Sequence, residues 1–311
     1  MVNARSNDGS SSGELGAIES LIRRTGKPRD GEIWAGDDMA VVRAPKSLLL
    51  AADALVEGVH FERGLGTIAD VGWKALAVNL SDVAAMGAGP VAAVVTVIGA
   101  SRDDLDALYD GLLACAEEFD CPIVGGDLSD GNSLVISIAL AAGVALAPPV
   151  LRSGANAGDA VFITNPLGGA AAGLRDLRRD PAAKSSCAQA YLRPRPRLAE
   201  GRLAAESGAS AMIDISDGLG LDLDRLCRAS RVGVELDEVA IAEGATLEDA
   251  LAGGDDYELV FAAPSPESVF AAFSSAKLGK PLQIGWLVKD ETTRVLGGRV
   301  FEPRGFTHGM A

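Results

Sequence analysis

Asp70-Val71-Gly72-Trp73-Lys74-Ala75-Leu76-Ala77-Val78-Asn79-Leu80-Ser81-Asp82-Val83-Ala84-Ala85-Met86-Gly87 is the stretch on which the fold class turns. Its spacing predicts a helix over 70–87 with Ala75, Asn79, Asp82 and Met86 on one face, so two polar side chains share a stripe with core-type residues. Runs rich in Val, Ile and Leu at 47–52 and 91–98 flank it and read as strands, as do 133–140 and 160–164. Strand-like runs alternating with longer Ala-rich stretches of helical period predict an α/β or α+β class. A second helix is expected over 102–119, where Asp103 and Asp104 fall in the first turn and suit the helix dipole better than chemistry.

Working outward, 311 residues are enough for a large core and favour two domains. The best boundary is the Pro148-Pro149 pair, because consecutive prolines end a strand and stiffen a crossing. The expected organisation is therefore a loose polar tail over 1–12, an N-terminal domain over 13–148 and a C-terminal α/β domain over 149–311. The Ser-rich opening lacks the apolar core of a secretory signal, which makes the cytoplasm the expected location. The apolar run 134–151 approaches membrane-span length, but Ser137, Gly143 and the proline pair make it one or two buried strands, and no membrane association is expected. A net charge of -15 argues against nucleic-acid binding, which rests on clustered Lys and Arg. Cys115, Cys121, Cys187 and Cys227 show no CxxC spacing and read as structural free thiols.

Short acidic clusters end the apolar runs: Gly36-Asp37-Asp38, Asp53, Asn79-Leu80-Ser81-Asp82, Gly125-Gly126-Asp127, Asp214-Ile215-Ser216-Asp217-Gly218 and Gly253-Gly254-Asp255-Asp256. Taken singly, each aspartate is a turn residue more often than a ligand; the series reverses that reading. Carboxylates at strand ends can converge at a sheet edge, where hard oxygen donors suit Mg²⁺ and bridged phosphates. Asp37, Asp53, Asp82, Asp127, Asp214 and Asp217 are the candidate metal ligands, while Asp38 and Asp256 serve equally well as turn or cap residues. No GxxxxGK[ST], HExxH or GxSxG motif is present, and His60 and His308 are the only histidines, so a Walker loop and hydrolase triads are poorly supported. Phosphoryl transfer asks mainly for positioning and charge neutralisation, which a carboxylate-rich site supplies. Arg152, just after an apolar run, suits bidentate phosphate binding. The loop Asn165-Pro166-Leu167-Gly168-Gly169 between a strand and a helix either offers helix amides to an anion or serves close helix–sheet packing. Arg193 and Arg197 read as helix-start residues that shield surface carboxylates.

Several blocks carry a family resemblance that spans nearly the whole chain. They are Gly36-Asp37-Asp38, the run from Asp53 through Val56-Glu57-Gly58-Val59-His60-Phe61, the 74–88 helix block, Gly125-Gly126-Asp127, Arg152-Ser153-Gly154-Ala155, Leu192-Arg193-Pro194-Arg195-Pro196-Arg197, Ile213-Asp214-Ile215-Ser216-Asp217-Gly218-Leu219 and Asp256-Tyr257-Glu258-Leu259. In these the chain resembles the thiamine-monophosphate kinase family, within the aminoimidazole ribonucleotide synthetase-like superfamily of ATP enzymes. The resemblance implies a two-domain fold whose N-terminal domain forms a β-barrel shared with a second copy, hence a homodimer. It also implies ATP as phosphoryl donor, Mg²⁺ as cofactor, and in-line transfer to the phosphate of thiamine monophosphate without a phosphoenzyme. Matched position by position, the resemblance implies that Asp37, Asp53, Asp82, Asp127, Asp214 and Asp217 hold Mg²⁺, with Asp127 and Asp217 closest to the transfer. Arg152, Ser216 and Gly126 would meet ATP; His60, Asp255 and Phe306 would meet the acceptor.

The chain departs from the family pattern at Ala51-Ala52, where Ser or Thr oxygens usually assist the metal, and at Asp255, where a Glu usually contacts substrate. Near the C-terminus Pro303 holds the place of the usual aromatic, with Phe306 close by. Other members of the superfamily fit less well. Selenophosphate synthetases need a reactive Cys or selenocysteine near the N-terminus and hydrogenase maturation factors a C-terminal Cys, whereas Cys115 comes first here and the chain ends Gly309-Met310-Ala311. A catalytically silent nucleotide-binding paralogue is the reading from another class, motivated by Ala51, Ala52 and Asp255.

Overall fold

A computed structural model describes residues 14–35, 39–144 and 148–307. The 1–12 tail, Asp37, Asp38 and His308 lie outside the described residues. The first half runs α1 (Glu14–Arg24), β1 (Leu48–Val56), α2 (Ile68–Ala85), β2 (Gly89–Ile98), α3 (Arg102–Glu118), β3 (Ile123–Ser129) and β4 (Val135–Gly143). Its sheet has the order β1-β4-β2-β3, with β2 and β3 parallel and the other pairs antiparallel.

Helix α2 starts two residues before the position read from the sequence, because Thr67 caps it. The Thr67 hydroxyl accepts from the Asp70 N–H, and the Asp70 carboxylate accepts from the Thr67 N–H, a reciprocal capping box. Most of α2 is buried on every side, which is why its apolar residues do not form one stripe. Helix α3 is capped by the Ser101 hydroxyl, and Asp104 in its first turn pairs with Arg63 at 3.2 Å. The two helices approach so closely that a Cβ on Gly111 would stand 1.7 Å from the Ala69 carbonyl oxygen. Gly111→Ala should therefore destabilise the protein by about 1–3 kcal/mol or more, read as a lowered denaturant midpoint with unchanged slope.

Pleat alternation divides the first sheet into two faces. Leu55, Val95, Val97, Ile136 and Ile138 pack under α2 and α3 in one core. The other face carries small and apolar residues at the surface, with Leu48 50%, Leu50 76% and Val94 39% exposed. Trp34 covers one end of it, against Ala92 and Val124.

The second half runs β5 (Ala160–Ile163), α4 (Gly169–Arg179), α5 (Ser186–Leu192), α6 (Leu198–Glu206), β6 (Ala211–Asp214), α7 (Leu219–Ser230), β7 (Gly233–Leu236), α8 (Leu247–Ala252), β8 (Leu259–Ala263), α9 (Pro266–Ser275), β9 (Leu282–Val288), β10 (Arg294–Leu296) and β11 (Arg299–Val300). Its sheet order is β11-β10-β7-β9-β5-β8-β6, antiparallel apart from the β7–β10 pair. One face buries Leu219, Leu223 and Leu226 of α7; the other buries Val269 and Phe273 of α9 with Ala204 of α6. The apolar run 134–151 resolves into β4 and a later segment tied by the Val150 N–H to the Met86 carbonyl. No helix among the described residues is long and apolar enough to cross a membrane.

Helix α2 stitches the halves together. Its end, Ala84 and Ala85, enters a core of the second half. Four side chains along its length reach across: Asp70 Oδ1 accepts from Arg193 Nε at 2.5 Å, Trp73 Nε1 donates to the Pro194 carbonyl at 2.9 Å, Lys74 Nζ to Asp255 Oδ2 at 2.8 Å, and Ser81 Oγ to Asp214 Oδ2 at 2.8 Å.

Candidate active site

Asp53 comes from edge strand β1, Asp82 from the last turn of α2 and Asp214 from the end of β6. Asp53 stands in the same pleat row as Ile138 and Val95, on the helix-packed face of the first sheet, which turns it toward α2. Burial, the nearby Asp53 charge and only partial relief from Arg152 push the Asp82 carboxyl up to about 6. Asp214 is pushed up to about 7, first by burial and then by Asp82, against the Ser81 hydrogen bond and Arg152. Asp53 thus raises the cost of ionising Asp82, and Asp82 that of ionising Asp214, with Arg152 easing both. A cleft of about 530 Å³ opens here, lined by Ala51, Ala52, Asp82, Arg152, Ile213 and Asp214.

Asp127 lies elsewhere. Its row is Thr96, Ser137 and Ala54, the opposite face of the sheet from Asp53, and its Oδ2 accepts from Ser129 Oγ at 3.1 Å. It lines a groove of about 1030 Å³ on that face with Met39, Leu50, Val94, Gly126 and Ala139. The groove and the cleft share Leu50, Ala51, Ala52 and Leu140, so they meet across β1. Gly126 has a packing reason of its own, since a Cβ there would sit 1.9 Å from the Val95 carbonyl oxygen.

The loop after β6 is set by a residue the sequence reading passed over. Buried Asp222 accepts from the Ser216 N–H at 3.0 Å and the Asp217 N–H at 2.8 Å. Arg225 Nη1 then bridges Asp222 Oδ1 at 2.6 Å and Asp217 Oδ2 at 2.5 Å. Asp217 is thus held by an arginine rather than drawn in among Asp53, Asp82 and Asp214. The Phe306 N–H donates to the Asp217 carbonyl at 3.0 Å, docking the C-terminal segment on this loop.

At the other end of the site, Asp255 receives Lys74 on Oδ2 and the Tyr257 hydroxyl on Oδ1 at 3.1 Å. Tyr257 is buried, and its hydroxyl is held well above its ordinary range by burial and by Asp255, Asp53 and Asp214. Its ring thereby connects the Asp255 end to the carboxylate cluster. His60 Nδ1 accepts from the Val56 N–H at 3.0 Å, which in the neutral ring leaves the proton on Nε2.

The 165–169 loop answers the question its glycines posed. Asp256 accepts from the Gly168 N–H at 2.7 Å and the Ala170 N–H at 3.2 Å, so an internal carboxylate takes the amides at the start of α4. Burial pushes the Asp256 carboxyl up to about 7 despite these bonds. A raised folded-state value means the native protein holds more protons than the unfolded chain between about 4 and 7. This group's contribution to stability is then greatest at the acid end and is lost as pH rises through the folded value. Asp256→Asn should remove that slope: the stability difference, wild type minus variant, should move toward wild type as pH falls from about 7 to about 4. Denaturant titrations across that range measure it.

One expectation is corrected here. Arg197 does not shield a surface carboxylate; it forks onto Glu258, its Nε 2.8 Å from Oε2, and Glu258 is buried. Thr164 Oγ1 adds a hydrogen bond at 2.6 Å. The sequence could not show this because the partners lie at the N-cap of α6 and at the foot of β8. Arg193 does pair near the surface, with Asp70, and stacks over Trp73.

The first half matches the family described as AIR synthase related protein, N-terminal domain, over residues 36–145, and the second half its C-terminal domain over 156–297. The thiamine-monophosphate kinase of Rhodopirellula baltica is 35% identical over 328 residues, covering 95% of this chain and 97% of that protein. Among solved structures, the thiamine-monophosphate kinase from Stenotrophomonas maltophilia K279a superposes with a TM-score of 0.81 at 31% identity, covering 92% of this chain and 97% of that one. AaThiL complexed with AMPPCP and TMP superposes with a TM-score of 0.75 at 28% identity, covering 95% and 97%. With both domain matches in place and that identity held over nearly the whole length, the chain belongs to the thiamine-monophosphate kinase family.

Proposed function

We propose that this chain transfers the γ-phosphoryl group of ATP to the phosphate of thiamine monophosphate, giving thiamine diphosphate. The observation that supports the reading is that Asp82, Asp214 and Arg152, drawn from both halves, line one cleft, with the Asp53 charge near enough to Asp82 to oppose its ionisation. A family relative that binds AMPPCP and TMP with the same overall fold supports the choice of donor and acceptor.

The donor set is all oxygen, and burial with a neighbouring carboxylate opposes ionisation of Asp82 and Asp214, a strain that a hard divalent cation such as Mg²⁺ would relieve. Among the described residues no group of three or more His, Cys, Asp or Glu stands close enough to hold an ion alone. A nucleotide-bound Mg²⁺ does not require that, because it usually takes one or two carboxylates and completes its shell with water and phosphate oxygens. Asp53, Asp82 and Asp214 would hold it, while the family-matched Asp127, Asp217 and Asp37 would serve further ions, Asp127 from the opposite face of the first sheet. When bound, Mg²⁺ neutralises the charge of two approaching phosphates. Arg152 would clamp the donor phosphates, with Ser216 and Gly126 as the further nucleotide contacts. No residue need act as general base, since the acceptor phosphate oxygen is already ionised near neutral pH. His60, Asp255 and Phe306 would line the acceptor end.

The exposed apolar face of the first sheet is suited to closing against a second copy as a shared barrel, and a homodimer acting in the cytoplasm is part of this reading. Ala51 and Ala52, which line the cleft with methyl groups where hydroxyls would serve a metal, favour a second reading, a silent nucleotide-binding paralogue. Incubation with ATP, Mg²⁺ and either thiamine monophosphate or thiamine decides between them. Thiamine diphosphate formed only from the monophosphate, and only with Mg²⁺, is expected; nucleotide binding without product would establish the paralogue.

A further inference from the structure

Lys74 is an unusual residue to find inside a helix packed on all sides. Its side chain is 3% exposed, and a buried ammonium is tolerated only where anions or π-faces take up its charge. Both are present. Nζ lies 2.8 Å from Asp255 Oδ2 and 4.0 Å from the centroid of the Tyr191 ring on α5.

Asp255 is held from several sides. Its φ is 62° and that of Tyr257 is 50°, left-handed values that non-glycine residues adopt at a cost, so surrounding contacts must impose them. The Asp255 N–H donates to the Ser216 carbonyl at 2.8 Å and the Tyr257 N–H to the Ile215 carbonyl at 2.9 Å, which ties this loop to the segment bearing Asp214. Lys74 and the Tyr257 hydroxyl each engage one carboxylate oxygen. A carboxylate has about four lone-pair positions, and this one is 34% exposed. It therefore keeps acceptor capacity on its open side, fixed in direction by two donors beneath it.

Resting on the functional reading above, we propose that Lys74 is the positioning residue for the acceptor. It aims the Asp255 carboxylate at the thiamine moiety of thiamine monophosphate, whose aminopyrimidine ring offers an N–H donor and whose thiazolium ring carries the positive charge, without touching that substrate. The pair spans the two halves of the molecule, so acceptor affinity is coupled to how α2 seats against the 253–257 loop.

The test uses the full chain with Lys74→Met, Lys74→Arg, Asp255→Asn and the Lys74→Met/Asp255→Asn double variant, each checked for a cooperative melt. Steady-state rates are measured with ATP saturating and thiamine monophosphate varied, and then the reverse. Lys74→Met should raise KM for thiamine monophosphate about tenfold or more, the scale set by a charge-assisted hydrogen bond, with kcat and the KM for ATP within about twofold. Lys74→Arg should recover most of that loss. Asp255→Asn should match Lys74→Met, and the double variant should lose no more than either single one. A purely structural clasp would lower the melting temperature and shift both KM values and kcat together; that result, or an unchanged acceptor KM in Lys74→Met, overturns the proposal. Should Lys74→Met fail to fold, the Lys74→Arg and Asp255→Asn pair tests the same claim through acceptor KM. A wild-type protein that makes no thiamine diphosphate refutes the functional reading itself and this proposal with it.

Discussion

Asp214→Asn is expected to cut phosphoryl transfer by about 10²-fold to 10³-fold, the loss typical when one preorganised charge-stabilising group is removed. The same change should leave the melting temperature of the metal-free protein unchanged or higher. Asp214 is 5% exposed, and burial together with Asp82 opposes its ionisation, so the carboxylate weakens the fold at neutral pH. An asparagine keeps an oxygen to accept the Ser81 hydroxyl, which now bonds Asp214 Oδ2 at 2.8 Å, so the seam between the halves survives. Activity and stability should move apart, as expected of a group kept for chemistry at some cost to stability. A variant that loses activity and melts several degrees lower would make Asp214 a structural residue of the seam.

Arg197→Met should be the most destabilising of the polar substitutions, by about 3–5 kcal/mol, because it strands a buried carboxylate. Glu258 would keep the Thr164 hydroxyl and Asn165 Nδ2, at 2.6 and 3.2 Å, but no cation. The charge sits at the foot of β8, next to the loop that carries Asp255 and Asp256, so loosening it should also weaken acceptor binding. Replacing both partners, Arg197→Met with Glu258→Met, removes the unpaired charge and should recover much of the loss. Denaturant unfolding of the two variants measures this; equal destabilisation in both would mean that packing rather than charge pairing carries the effect.

What could be read from the sequence was what is local. The period of 70–87 gave α2 to within two residues, and the earlier start is explained by Thr67, whose capping box with Asp70 is a short-range signal legible in the sequence. Strands β1, β2, β4 and β5 followed from apolar runs bounded by turn residues. The family blocks named the acidic residues, but not which of them meet. Whether Asp53 and Asp127 face the same way depends on strand register, and β1 and β3 are separated in the sheet by β4 and β2. Lys74 was within a quoted block yet gave no sign of function, because a lysine in a helical pattern reads as a solvated residue until its partner, 181 positions away, is placed beside it. The same holds for Arg197 and Glu258, 61 positions apart. Asp256 illustrates the converse: its glycine-rich partner loop was legible as an amide cradle, while the identity of the anion required the fold.

In the proposed mechanism Asp53, Asp82 and Asp214 form one cation site that is completed by a nucleotide. Binding of Mn²⁺, an oxygen-seeking stand-in for Mg²⁺, measured by the electron paramagnetic resonance of the free ion with and without a non-hydrolysable ATP analogue, addresses it directly. Wild-type protein should take up Mn²⁺ far more tightly when the analogue is present, and Asp82→Asn and Asp214→Asn should each lose that gain while remaining folded. Nucleotide-dependent uptake that is unchanged in both variants would place the cation elsewhere and remove Asp82 and Asp214 from its site.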